Sequence, residues 1–182
     1  MEEFFDPPHR RMLPVLRVYL HKGNVDEEKA LTYLTIAAKE GVANAQRFLG
    51  ICYMKGSVLP VPKNYSEGMK WFSRAAKSGC DASQTELGKA YRDGTGLEVD
   101  LVKAYVWFSM AAREEIARQR ERIDQQNKWN AENPRWARPV RYEKHEAQIE
   151  RDKIAEQLSK CELIKAQDLA EKCFANRCEG FD

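Results

Sequence analysis

From residue 43 to residue 112 the apolar and small positions return three and four residues apart, the spacing of one face of an α-helix. Leu49, Cys52 and Tyr53 make one such face, and Leu87, Ala90 and Tyr91 make its copy 38 residues later. A second stripe sets a small residue, a large aromatic and an alanine pair at offsets of 3 and 7, as in Gly68, Trp71, Ala75-Ala76 and Ala104, Trp107, Ala111-Ala112. Ala30, Tyr33 and Ala37-Ala38 fit the same frame one unit earlier, so the alanine pair recurs in steps of 38 and 36 residues. Four residues before each small position stand Asp26, Asn64 and Asp100, side chains that cap helix N-termini well. The pattern predicts helical hairpins built from two alternating helices, A and B.

Glycine marks where these helices stop and where they touch. Gly41 and Gly79 end B helices, and Gly56 and Gly94 end A helices. Gly50 and Gly88 lie inside A helices despite a cost of about 1 kcal/mol relative to alanine, which predicts a close approach of the partner helix. The A-to-B loop of the middle copy is longer by two residues and carries Pro60 and Pro62. A degenerate first copy fits residues 12–41, with Leu16, Leu20 and Gly23 in the helix A places and Pro14 near the first turn.

The spacing A-x3-L-G-x2-Y-x2-G, followed by D-x3-A-x2-W-F-x2-A-A, resembles the Sel1-like repeat, a tetratricopeptide relative. The resemblance is specific over Ala45–Ala112. Arg151-Asp152-x-Ile154-Ala155 and Ala166-Gln167-x-Leu169-Ala170 resemble the helical tail that closes many bacterial members. It implies an all-α fold: a right-handed α-solenoid of about three helical hairpins plus a C-terminal helical cap. Members are mostly adaptors or scaffolds without catalytic residues, and some act as inhibitors or immunity proteins. The expected division is residues 1–11 as an N-terminal extension, then repeats at 12–41, 42–79 and 80–115, and a third region, 116–182. That last region would hold an extended helix, a Pro/Arg/Trp linker and the capping helices.

The third repeat departs from the pattern, because Glu115 stands where glycine stops the other B helices. Nothing breaks the chain before about Asn130, so the helix should run on through a mostly polar stretch. Pro134 and Pro139 then keep the next segment extended. Ser159-x-x-Glu162 is a capping box opening the last helix, with Leu163, Ala166, Leu169, Ala170, Cys173 and Phe174 on its buried stripe.

Composition narrows the chemistry. Net charge is only +2, with 43% hydrophobic and 32% charged residues, so no global field draws the chain to nucleic acid or anionic lipid. No run reaches the length of a membrane span. The acidic, proline-broken start is unlike a secretory signal. The chain as it stands reads as cytoplasmic, and as periplasmic or envelope-bound had a signal been removed. The five cysteines lack the spacing of a disulfide framework: Cys52 and Cys173 read as core fillers, while Cys173 and Cys178 lie close enough in sequence to bridge under oxidising conditions.

His9, His21 and His145 are scattered, so no metal site or other cofactor is expected. Ser-x-x-Lys does not occur, which speaks against the β-lactam-binding or hydrolysing activity discussed for the cysteine-rich branch of the family. The expected function is a non-enzymatic adaptor that binds a protein or peptide. Two surfaces carry it. The concave face of helix A would present Gln46, Arg47, Met54, Gln84, Thr85, Lys89 and Arg92. The segment 113–144 has nine basic against six acidic residues, and it would present Trp129, Arg135, Trp136, Arg138 and Arg141. The alternatives are that β-lactam-binding or hydrolysing enzyme and a weak RNA-binding module through residues 113–144, since aromatic rings stack bases.

Overall fold

The computed structural model describes residues 27–56, 59–139, 144–176 and 178, and among them every regular element is helical. The helices are α1 (Glu27–Lys39), α2 (Ala43–Lys55), α3 (Tyr65–Lys77), α4 (Asp81–Asp93), α5 (Leu101–Glu132), α6 (Glu146–Gln157) and α7 (Lys160–Asn176), with a 3-10 turn at Pro134–Trp136. Each of the first five packs on its neighbour in sequence, and α6 and α7 both pack on α5. The result is an α-solenoid closed at one end by a helical pair. The proposed helix A of the first repeat and the Asp26 cap lie outside the described residues.

Local chemistry sets the helix ends as the sequence predicts. The Asn64 carboxamide accepts from the Glu67 amide at 3.1 Å, and the Asp100 carboxylate accepts from the Lys103 amide at 2.9 Å. Asn64 and Asp100 also donate their own amides to the carbonyls of Tyr53 and Tyr91, so both A-to-B loops are latched alike. After α1 and α3 the chain turns through Gly41 and Gly79 at φ +90° and +84°, with paired backbone hydrogen bonds back into the helix. The capping box at Ser159 forms, the Glu162 amide donating to Ser159 Oγ while Glu162 accepts from the Ser159 amide. His145 turns out to be a cap as well: its Nδ1 accepts from the Ala147 amide, and Gln148 reaches back to the His145 amide.

Three apolar clusters run along the array. The first joins α1 and α2 to Trp71, and Leu59 and Val61 from the long loop drop into it. That loop is thus part of the core and not merely a spacer. The second surrounds Trp107 with Met69, Phe72, Leu87 and Val106, and α7 adds Ala170 and Cys173. The third sets Ala104, Phe108, Ala111 and Ala112 of α5 against Ala147 and Ile154 of α6. Tyr33 departs from the repeat frame: it is 54% exposed, whereas Trp71 and Trp107 are buried. Among the described elements α1 packs chiefly on α2, through Ala30, Leu34 and Ala38, and the Tyr33 side faces away.

The long α5 begins as the B helix of the third hairpin and passes without interruption through residue 115. Ile116 still packs in the third cluster and Gln119 is buried. From residue 120 to residue 132 only positions 123, 126 and 130 are even half-buried, so the last three turns project as an arm. At about 1.5 Å per residue that arm is roughly 20 Å long.

Cysteines 52, 173 and 178 are buried, and all the cysteines are free thiols. Burial pushes the Cys52 thiol up to about 11, and it raises Cys173 and Cys178 too, in the direction of inert core groups. Cys173 and Cys178 meet in the second cluster, both as thiols in this structure.

Candidate functional site

The helix A row is less open than its sequence suggests. Gln46 is 6% exposed and Gln84 2% exposed. Each turns its side-chain amide back to the carbonyl eight residues earlier, Gln46 to Ala38 at 3.0 Å and Gln84 to Ala76 at 3.1 Å. Those carbonyls stand at the ends of α1 and α3, where the helix leaves acceptors open. The two glutamines therefore stitch the B-to-A turns, and this corrects their place among the open groove residues. Thr85 is likewise buried, its hydroxyl donating to Asp81 O. Met54 packs against the second cluster, close beside Gly68.

Lys89 and Arg92 are half-buried and engaged by α6. Lys89 Nζ lies 2.9 Å from Glu146, and Arg92 pairs with Glu150 as well as with its neighbour Asp93. The Arg92 guanidinium is held above its ordinary range, by Asp93 first and then by Glu150. Arg118 of α5 adds a further tie to Asp81 at the start of α4. Of the row, Arg47 is half-buried and, among the described residues, enters no ion pair.

These clasps give the fold an acid limit. The Lys153 hydrogen bond, seconded by Arg92, keeps Glu150 below its ordinary 4.5 in spite of burial. Burial acts to raise Asp81, but the hydrogen bonds from Arg118 and the Ala82 amide outweigh it and leave the group below 3.8. A carboxylate with a depressed folded pKa contributes stability that is complete above its unfolded pKa and is lost as the pH falls through the folded one. The urea midpoint should therefore hold near neutrality and decline below about pH 4.5, and Glu150→Gln should flatten part of that decline. A midpoint that is independent of pH down to about 3 would contradict the clasp.

The Arg/Trp segment is presented openly. Asn130 on the arm clips the returning chain, donating to Arg138 O at 2.8 Å and accepting from the Arg138 amide at 3.0 Å. Asn133 donates to Trp129 O and closes the arm's last turn. Trp136 stands 68% exposed with the Arg135 guanidinium 5.7 Å from its ring centre, and Trp129 and Arg138 are exposed as well. Arg141 lies outside the described residues. The tryptophans thus do not fold back into the solenoid end.

Sequence reasoning missed a third place. Two hollows flank Arg113 and Phe174, whose guanidinium and ring stack at 4.2 Å. One, of about 440 Å³, opens toward Lys77–Gly79 and Gln84; the other, of about 430 Å³, lies between α5, α6 and α7. They depend on how α7 docks on α5, a long-range contact without a local signature. Among the described residues no His/Cys/Asp/Glu group is arranged to hold a metal ion, and no helix is long and apolar enough to cross a membrane.

Comparison with known proteins places this arrangement. The chain is 27% identical over 101 residues to chitin synthase regulatory factor 3 of Schizosaccharomyces pombe, covering 56% of this chain and 11% of that protein. It is 33% identical over 95 residues to the chitin synthase regulator SKT5 of Saccharomyces cerevisiae, covering 51% of this chain and 13% of the regulator. It is 34% identical over 70 residues to DAP3-binding cell death enhancer 1 of Rattus norvegicus, covering 38% and 13%. The chain thus spans only a small part of the length of each relative. The solved structure of c5321, a protective antigen of uropathogenic Escherichia coli with an SLR fold, matches at TM-score 0.66 and 24% identity, covering 93% of this chain and 30% of that one. The Sel1 repeat model matches residues 19–42, 43–80 and 81–115 in succession, more than half of the sequence, and the chain belongs to the Sel1 repeat family.

Proposed function

We propose that this chain is a non-catalytic adaptor that binds a protein partner through the arm at the end of α5. The observation that carries the reading is Trp136, about two-thirds exposed beside Arg135 on a segment that Asn130 fixes in place. Large aromatic and arginine side chains held rigid and exposed are the usual anchors of protein interfaces. In this reading residues 12–115 set the spacing, and residues 116–182 carry the contact and cap the array. Arg47, half-buried on the helix A face and in no ion pair among the described residues, makes a secondary contact. The regulatory roles in the names of the chitin synthase relatives support an adaptor class.

The test begins with capture of partners from an extract of the source cells and proceeds to purified components. A captured partner should bind the full chain with measurable affinity, and Trp136→Ala with Arg135→Ala should weaken it by about tenfold or more. Arg47→Glu should produce a smaller loss. Binding unchanged in both variants would sink the arm as the contact surface. Enzymatic activity of the partner, measured with and without the chain, separates a scaffold from an inhibitor.

A further inference from the structure

The hollow between α5, α6 and α7 has the make-up of a ligand site. Its volume of about 430 Å³ falls within the range of small-molecule pockets. Arg113, Arg120 and Arg151 converge on its wall from two helices, and Tyr105, Ile116 and Phe174 supply its apolar lining. The Arg113 guanidinium carbon stands over the Phe174 ring, 4.2 Å from its centre, a contact that uses the face of the guanidinium and leaves its N–H edge for a ligand. Arg151 shares its charge with Asp152 through two hydrogen bonds, and Glu171 offsets a second. Arg120 enters no ion pair among the described residues. The wall is left with one positive charge in excess.

A second, independent feature points into the same space. Ser109 is 7% exposed and lines the hollow, and its hydroxyl has no hydrogen-bond partner. A serine inside a helix ordinarily turns its hydroxyl back on the carbonyl four residues earlier, here that of Tyr105. Buried hydroxyls are rarely left without a partner. This one is placed to donate to a guest that the arginines hold.

We propose that this hollow binds a single carboxylate joined to a small apolar group. The guanidinium groups of Arg113 and Arg120 grip the carboxylate with charge-assisted hydrogen bonds, Ser109 donates to it, and the apolar part rests on the Phe174 side. One excess positive charge suits a monoanion, and Glu171 at the wall disfavours a dianion. Such a carboxylate has two sources, a free organic acid or the C-terminus of a peptide chain.

Titration calorimetry on the full chain tests the site with 3-phenylpropanoate, its amide, and the peptide acetyl-Ala-Ala-Phe as acid and as amide. At least one acid should saturate at one per chain while its amide does not. Arg120→Gln, at an exposed position, and Ser109→Ala, which removes a hydroxyl without a partner, should melt like the parent. Arg120→Gln should weaken binding about tenfold or more, and Ser109→Ala by a few-fold. Saturation by 3-phenylpropanoate assigns a free acid as the source, and saturation by the peptide acid alone assigns a chain terminus. No saturation by either acid, equal binding of acid and amide, or parent-like affinity in Arg120→Gln would overturn the site.

Discussion

Trp107→Ala should lower the free energy of unfolding by about 3–5 kcal/mol, the largest single effect expected in this chain. The ring is 2% exposed and sits where three parts of the array meet: Met69 and Phe72 of α3, Leu87 and Ala90 of α4, and Ala170 and Cys173 of α7. Truncation leaves a void that none of these neighbours closes alone, because each is anchored in its own helix. The loss also spreads. A stacked array is held by interfaces between adjacent units, so a gap here loosens the C-terminal pair from the repeats. Against a total stability of about 5–15 kcal/mol, the variant stands near the limit of folding at all. Urea unfolding followed by far-ultraviolet circular dichroism checks it, and a loss under about 1 kcal/mol with an unchanged slope would contradict the packing. Trp71→Ala should cost less, because Trp71 is packed against Leu59 and Val61 of a loop, and its ring also meets the Arg74 guanidinium at 4.6 Å.

The repeat was legible because it is written twice in local chemistry. Asn64 and Asp100 cap their helices, the glycines stop them, and the Trp and Ala-Ala positions fill the core, all within reach of a few residues. The prolonged α5 was legible for the same reason, through the missing glycine at Glu115. The groove residues were not. Gln46 and Gln84 look like solvent-facing polar residues, yet both occupy one place in the repeat, 38 residues apart. A surface side chain has no physical need to recur in successive units, whereas a side chain that satisfies the carbonyl left by each helix end does. That recurrence was the available signal.

Lys89 and Arg92 carried no such signal, because their partners Glu146 and Glu150 lie more than 50 residues away. Periodicity shows which face of a helix is polar and is silent on which later element covers it. The same limit hid the hollow beneath α6 and α7. Trp136 was legible as an exposed anchor only in part: the prolines predict an extended segment, whereas Pro134, whose fixed φ suits a first helical position, opens a 3-10 turn over Pro134–Trp136, and the Asn130 clip that holds the chain to the arm is a tertiary contact.

Gly88→Val should cost about 3 kcal/mol, and it tests the hairpin geometry from the opposite direction, by adding atoms where Trp107→Ala removes them. A Cβ at Gly88 would stand 2.9 Å from three carbons of the Phe108 ring of α5, which is fully buried in the third cluster. Neither helix gives easily: α4 is tied at one end by Gly94 in the left-handed region at φ +72°, and α5 is capped by Asp100. Valine would gain a few tenths of a kcal/mol in helix propensity over glycine, too little to offset the overlap. Gly88→Ala, with one carbon instead of three, should cost less. The equivalent Gly50→Val should behave alike, since its Cβ would meet the Phe72 ring and the Gly68 carbonyl at 3.2 Å. If the cost is steric, shrinking the ring must recover it: Phe108→Leu should destabilise the parent but restore much of what Gly88→Val loses, a coupling of about 1 kcal/mol or more between the two sites. Strict additivity of the two changes would mean that Gly88 answers to helix propensity alone, and that α4 and α5 do not meet face to face at this residue.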